Sequence, residues 1–157
     1  MYSTMQYDSP IGVLTLAGEG ENLVGLWLEG QKYFGAKLDL SGEAALPVFD
    51  KAKDWLDRYF AGERPAPSEL HLAPVGTAFQ RAVWAGLCEI PYGETITYGE
   101  LARRLGTSAR AAGSAVGRNP ISIIIPCHRI LGADGSLTGY AGGVERKRWL
   151  LAHEGVK

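Results

Sequence analysis

The sequence predicts an α+β fold: a small N-terminal antiparallel sheet with a helix, then a mostly helical C-terminal domain with a helix-turn-helix and a buried strand that delivers Cys127. Three observations carry that prediction. Short alternating apolar segments separated by turn residues run from Ser3 to Leu28. Helical periodicity introduced by capping residues dominates after Thr77. Between them GERPAPSELHLAP, rich in proline and polar residues, reads as a linker with a short extended piece. The expected domains are therefore 1–76 and 77–157.

Taken in order, Ser3–Tyr7, Gly12–Ala17 and Leu23–Leu28 read as strands of a meander, with SPIG and GEGEN supplying the turns. Ala45–Phe60 places Val48, Ala52, Trp55, Leu56, Tyr59 and Phe60 at near-helical spacing and stops at Ala61-Gly62. Thr77 is a good N-cap for a helix through Cys88, with Phe79, Val83, Trp84 and Leu87 on one face. Thr97 caps a short helix, Tyr98–Leu105, that Gly106 closes. Thr107 or Ser108 starts the next, Ala109 to about Gly117, and the pair forms the helix-turn-helix. Asn119-Pro120 breaks that helix, and the β-branched run Ile121–Ile125 reads as a fully buried strand. A glycine-rich loop, GADGSLTGYAGG, surrounds Tyr140, and Val144–His153 is a final helix ending in Glu154-Gly155.

Composition narrows the function classes. A chain of 157 residues, 46% hydrophobic and 21% charged, is long enough to bury a core and is neither disordered nor coiled coil. No apolar run approaches bilayer-spanning length, and MYSTMQYDSP lacks the features of a signal peptide, so a cytoplasmic location is expected. Cys88 and Cys127 are then expected as reduced thiols. His71, His128 and His153 form no ligand spacing with them, so neither a metal nor another cofactor is expected. The net charge of −1 conceals an asymmetry: residues 1–90 carry 7 Lys+Arg against 12 Asp+Glu, and residues 91–157 carry 9 against 5. Uneven scatter is common in small domains, yet a basic C-terminal half also suits an anionic partner.

ARAAGSAVGR sharpens that choice. Small side chains let a helix backbone approach another surface closely, and Arg110 and Arg118 at its ends can reach phosphates or bases. Complete burial of the helix would strand both charges.

The chemistry centres on IIIPCHRI. Cys88, on the apolar side of its helix, reads as a small hydrophobe. Cys127 follows a proline and is flanked by His128 and Arg129, which are expected to lower its pKa toward the nucleophilic thiolate. His128 then needs an orienting carboxylate, and Glu154 at the end of the last helix is the preferred candidate.

PCHR, preceded by GRNPI and followed by GYAGG and WLLAHEG, closely resembles the O6-alkylguanine-DNA alkyltransferase family, the methylated-DNA–protein-cysteine methyltransferases. FQRAVWAGLCEIPYGETITYGELA is similar to it as well, so the resemblance runs unbroken from Thr77 to Gly155. It implies a monomer without an obligate protein partner. The protein binds double-stranded alkylated DNA, flips O6-alkylguanine out of the duplex, and moves the alkyl group irreversibly to its own cysteine. O4-alkylthymine is left open as a further substrate. Residue by residue, it implies Cys127 as nucleophile, His128 as its base through a water and Glu154 as the group orienting His128. Asn119 would tie the recognition helix to the cysteine strand, and Tyr98 would aim its hydroxyl at the extruded base or its phosphate. Arg110 would fill the gap in the stack. Tyr140 and its loop would form the pocket wall, with backbone near Cys127 and Ile130 reading the guanine edge. Two departures stand out: the turn before Arg110 is shortened to Gly106-Thr-Ser108, and Ala141 stands where some members carry serine.

Two rivals remain. A thiol hydrolase would use the same Cys and His, though in papain-like enzymes they lie far apart in the chain. A helix-turn-helix regulator would have no need of a reactive thiol.

Overall fold

Three antiparallel strands open the chain in a computed structural model that describes residues 1–156: β1 (Ser3–Ser9), β2 (Gly12–Glu19) and β3 (Asn22–Leu28). They pair in the order β1-β2-β3, with Tyr7 opposite Leu14 and Leu16 opposite Leu26. The turn between β2 and β3 is two residues long, Gly20-Glu21, as GEGEN predicts. Leu14, Leu16, Leu26 and Leu28 are buried from this sheet. Helix α1 (Pro47–Phe60) begins on a proline at its first turn, where the missing N–H costs nothing, and buries Val48, Phe49, Ala52, Trp55, Leu56 and Tyr59.

The chain divides into two compact units, Met1–Val75 with Pro120–Ser122, and Gly76–Asn119 with the chain from Ile123 onward. In the first, Leu23 bridges Leu72 within the proline-rich stretch, the short extended piece expected there.

The second unit is built on local caps. In α2 (Ala78–Leu87) the Thr77 hydroxyl accepts from Gln80 N, while the Gln80 side chain accepts from Thr77 N. Val83, Trp84 and Leu87 are buried, but Phe79 is largely exposed, so the apolar face is narrower than its spacing suggests. The two-residue β4 (Ile96–Thr97) leads into α3 (Tyr98–Leu105), where Thr97 and Glu100 form a second capping box. Gly106 closes α3 at φ 69, a left-handed conformation that glycine reaches without strain. Ser108 then caps α4 (Ala109–Gly117), which buries Ala112, Ala115 and Val116. The Trp84 indole donates to Ala115 O at 2.8 Å and ties α2 to the end of α4.

The predicted strand over Ile121–Ile125 does not form. Ile121 makes a single bridge, to Leu26, and Ser122 N donates to Leu26 O, before Ile123 turns the chain at φ 72. All five residues are buried nonetheless. A run of bulky apolar residues reports burial, and by periodicity alone it cannot distinguish a strand from a buried turn. The strand lies instead after the cysteine: β5 (Ile130–Leu131) pairs in parallel with β4, Ile96 opposite Ile130. Helix α5 (Val144–His153) completes the unit.

Candidate active site

Two consecutive turns present Cys127. Pro126 adopts φ −82 and ψ 63, and Cys127 N donates back to Ile125 O at 2.8 Å, an inverse γ-turn. Cys127–Arg129 then form one turn of 3-10 helix, and β5 carries the chain away. Asn119 secures the first turn, its Nδ2 donating to Ile125 O at 2.8 Å, and its side chain also hydrogen-bonds the thiol. Asn119 thus bonds a turn, where a strand was expected.

Glu154 organises the rest. Its Oε2 lies 2.6 Å from His128 Nε2, and Arg129 grips both oxygens, Nε to Oε1 at 2.8 Å and Nη2 to Oε2 at 3.1 Å. Gly93 N donates to Oε1 at 3.2 Å. Gly93 sits at φ 79, and a Cβ there would meet Glu154 O at 3.1 Å, so the position suits glycine on both counts. Arg129 Nη1 also donates to Ile90 O at 2.7 Å, which leaves a buried guanidinium well satisfied. Burial alone would raise the Glu154 pKa, but the His128 hydrogen bond and Arg129 hold it well below the usual carboxylate range.

An ionised carboxylate can only accept, so His128 carries its proton on Nε2 and presents a lone pair at Nδ1. Nδ1 is buried and, among the described residues, has no hydrogen-bond partner. Burial pushes the His128 pKa down despite Glu154, so the ring is a neutral base at neutral pH. The thiol departs from expectation. Burial pushes the Cys127 pKa up, opposed by the Asn119 hydrogen bond and the Lys147 charge. Neighbouring His128 and Arg129 do not lower it because one is neutral and the other is spent on Glu154.

Tyr98 is half-buried at the start of α3, and its hydroxyl donates to Thr138 O at 3.4 Å. Burial, and after it the Cys127 charge, raise its pKa, which keeps the phenol protonated beside the thiol. Tyr140 is buried and Ala141 half-buried in the loop that follows Thr138. Ile130 is fully buried, its residue paired with Ile96. Arg110 and Arg118 are exposed at the two ends of α4. The residues thus form a thiol cluster around Cys127 and a separate arginine-flanked helix. Sequence reasoning missed the contributions of Arg129 to Glu154, of Gly93 and of Lys147. Only for Arg129 was there a signal, its place directly after His128. The described residues contain no His/Cys/Asp/Glu group that could hold a metal ion and no helix long and apolar enough to cross a membrane.

A buried cysteine followed by an oriented neutral histidine, in a unit whose paired short helices α3 and α4 carry exposed arginines at the ends of α4, has the parts of a thiol group-transfer protein. Family models agree: residues 78–156 match the DNA binding domain of 6-O-methylguanine DNA methyltransferase, and residues 1–74 match its ribonuclease-like domain. The methylated-DNA–protein-cysteine methyltransferase of Haemophilus influenzae is 49% identical over 96% of this chain and 84% of its own. That of Methanosarcina acetivorans is 47% identical over 95% and 96%. Mycobacterium tuberculosis OGT in complex with DNA superposes with a TM-score of 0.89 at 46% identity, over 98% of this chain and 93% of that one. The chain belongs to the 6-O-methylguanine DNA methyltransferase family, whose members repair DNA by moving an alkyl group to a protein cysteine.

Proposed function

We propose that Cys127 removes the alkyl group from O6-alkylguanine flipped out of duplex DNA, in one irreversible turnover, with the roles divided as follows. The thiol proton leaves for His128 Nδ1 through a bridging water, and Glu154 balances the imidazolium that results. The thiolate sulfur attacks the alkyl carbon in line, forming the S–C bond as the C–O6 bond breaks. The leaving guanine anion takes a proton from the Tyr98 phenol, and the proton held on His128 restores the phenol, so the net transfer is from the thiol to the base. Asn119 holds Ile125 O and the thiol so that the sulfur keeps its direction. Tyr140 and Ala141 form the pocket wall, with backbone near Ile130 reading the base edge.

A base inside the stack cannot reach a buried sulfur, so the nucleotide must leave the duplex. Arg110 fills the space it vacates, Arg118 contacts phosphate, and the small residues of α4 permit the close approach. The reading extends to a single chain acting as a monomer in the cytoplasm, a division near residue 76, and O4-alkylthymine as a further substrate. One observation carries the chemistry: the 2.6 Å contact of His128 Nε2 with Glu154 leaves Nδ1 as a buried base without a partner, on the residue that follows the only buried thiol of the described residues.

The test is incubation with a duplex containing one O6-methylguanine, followed by mass analysis of the tryptic peptide Asn119–Arg129. One methyl group on Cys127, at no more than one equivalent per protein, is the expected result. Repeated turnover without a retained methyl would instead indicate a hydrolase, and an unmodified peptide with DNA bound would indicate a binding module.

A further inference from the structure

The turn that joins α2 to β4 does more than reverse the chain. Glu94 N donates to Pro91 O at 3.1 Å, and Gly93 at φ 79 gives the type II form, which needs a left-handed third residue. From this turn and the residue before it, contacts reach both partners of the buried ion pair. Ile90 O accepts from Arg129 Nη1 at 2.7 Å, and Gly93 N donates to Glu154 Oε1 at 3.2 Å. Between them in the chain stands Tyr92, half-buried, a residue the transfer chemistry does not use. Its ring centroid lies 5.7 Å from Arg129 Cζ, and its hydroxyl donates to His153 O, next to Glu154, at 3.4 Å.

The shape of a guanidinium explains what a ring does there. Its donors lie in one plane, and those of Arg129 point at the two Glu154 oxygens and at Ile90 O. An aromatic face takes the flat side of the cation without competing for any donor. It also keeps water from that side, where a high dielectric would weaken the ion pair. Because the pair is held at two points, the plane of the guanidinium sets the plane of the carboxylate. That carboxylate fixes His128, 2.6 Å from Oε2. The hydroxyl bond is long and weak by comparison, so the ring carries the role.

Building on the alkyl-transfer reading, we infer that Tyr92 is a positioning residue: its ring seats the Arg129 guanidinium against Glu154 and so holds the carboxylate that orients His128. Each step, Tyr92 to Arg129, Arg129 to Glu154 and Glu154 to His128, is a direct contact. The charges acting on His128 are Glu154 and Lys147 from α5 and Arg129 from its own turn. Glu154 raises its pKa, and both cations lower it. Loss of the seat lets Arg129 withdraw, so His128 takes up a proton at higher pH and stops being a base there.

The experiment compares wild type with Tyr92→Phe, Tyr92→Leu and a series of increasingly fluorinated phenylalanines at position 92. It reads single-turnover methyl transfer from duplex DNA against pH, together with the His128 ring titration by NMR. Fluorine withdraws charge from the ring face while hardly changing its shape, so packing is kept and the cation contact is lost. Tyr92→Phe should match wild type. Transfer at neutral pH should then fall stepwise with fluorination, to about a tenth of the phenylalanine rate in the fully fluorinated ring. The acid limb of the rate profile and the His128 titration should both move to higher pH. Tyr92→Leu should resemble the fully fluorinated form; if it does not fold, the fluorinated series, which keeps the ring, decides alone. Equal rates and titrations across the series would overturn the inference and leave Tyr92 as turn packing. A Tyr92→Phe protein as slow as Tyr92→Leu would place the role in the hydroxyl and overturn it as well. A His128 titration that follows fluorination in a protein that takes no methyl from DNA would defeat the alkyl-transfer reading and leave this one standing.

Discussion

Cys88 and Cys127 belong to the same unit and have one property in common: burial pushes both thiols up, Cys88 to about 11. Everything else about them differs. Cys88 caps the end of α2, and the charge that eases its ionisation, Arg129, is already committed to Glu154. Cys127 hydrogen-bonds Asn119, precedes a histidine whose Nδ1 has no partner among the described residues, and lies in the field of Lys147. Burial acts on both thiols in the same direction, so it does not distinguish them. The distinction lies in the neighbours: only Cys127 bonds Asn119 and precedes a histidine fixed by a carboxylate.

The comparison breaks most completely at the sulfur itself. Cys127→Ser should abolish methyl transfer, since a hydroxyl is a far weaker nucleophile at neutral pH, while binding to methylated duplex persists in a mobility-shift assay. Cys88→Ser should leave single-turnover transfer at the wild-type rate. Equal loss from the two changes would erase the distinction drawn here.

Glu154→Gln tests the base. Without a carboxylate to fix its tautomer, His128 should lose most of its contribution, slowing single-turnover transfer about a hundredfold. The same change strands the Arg129 guanidinium, so thermal unfolding should show a loss of about 3 kcal/mol or more. Undiminished transfer would remove His128 from the mechanism.

Arg110 lies outside the thiol's surroundings and separates access from reactivity. Arg110→Ala should slow repair at saturating duplex by about tenfold, since extrusion of a base costs a few kcal/mol that the arginine offsets. Transfer from the free alkylated base should be unchanged. A normal rate at saturation would reduce Arg110 to a phosphate contact.

The smallest effect is on stability against pH. Folding lowers the pKa of both His128 and Glu154, so the unfolded chain binds more protons than the native one. Their contribution is fully present above the ordinary histidine value of 6.5 and is lost as pH falls. A second loss begins below the ordinary glutamate value of 4.5. Tm measured by calorimetry should decline in that order, and Glu154→Gln should remove the lower limb. A Tm flat from neutral pH to pH 4 would contradict the buried neutral imidazole.

What the sequence determined by itself is what acts over a few residues. Thr77 with Gln80 and Thr97 with Glu100 set two helix starts because a capping box closes within one turn. Gly20 and Gly106 mark a hairpin and a helix end because few other residues adopt those backbone angles without strain. His128 stands next to Cys127 by covalent connection alone. Only the tertiary structure decided the turn at Ile123, where a β-branched run satisfied its burial without strand pairing. It alone brought Gly93, His128 and Arg129 together on the Glu154 carboxylate. Those three contacts join residues 61, 26 and 25 positions apart, and nothing periodic in the chain records them. Lys147 shows the limit most plainly: on its helix it reads as one more charge in a basic stretch, and only the fold buries it and sets its ammonium on Thr138 O.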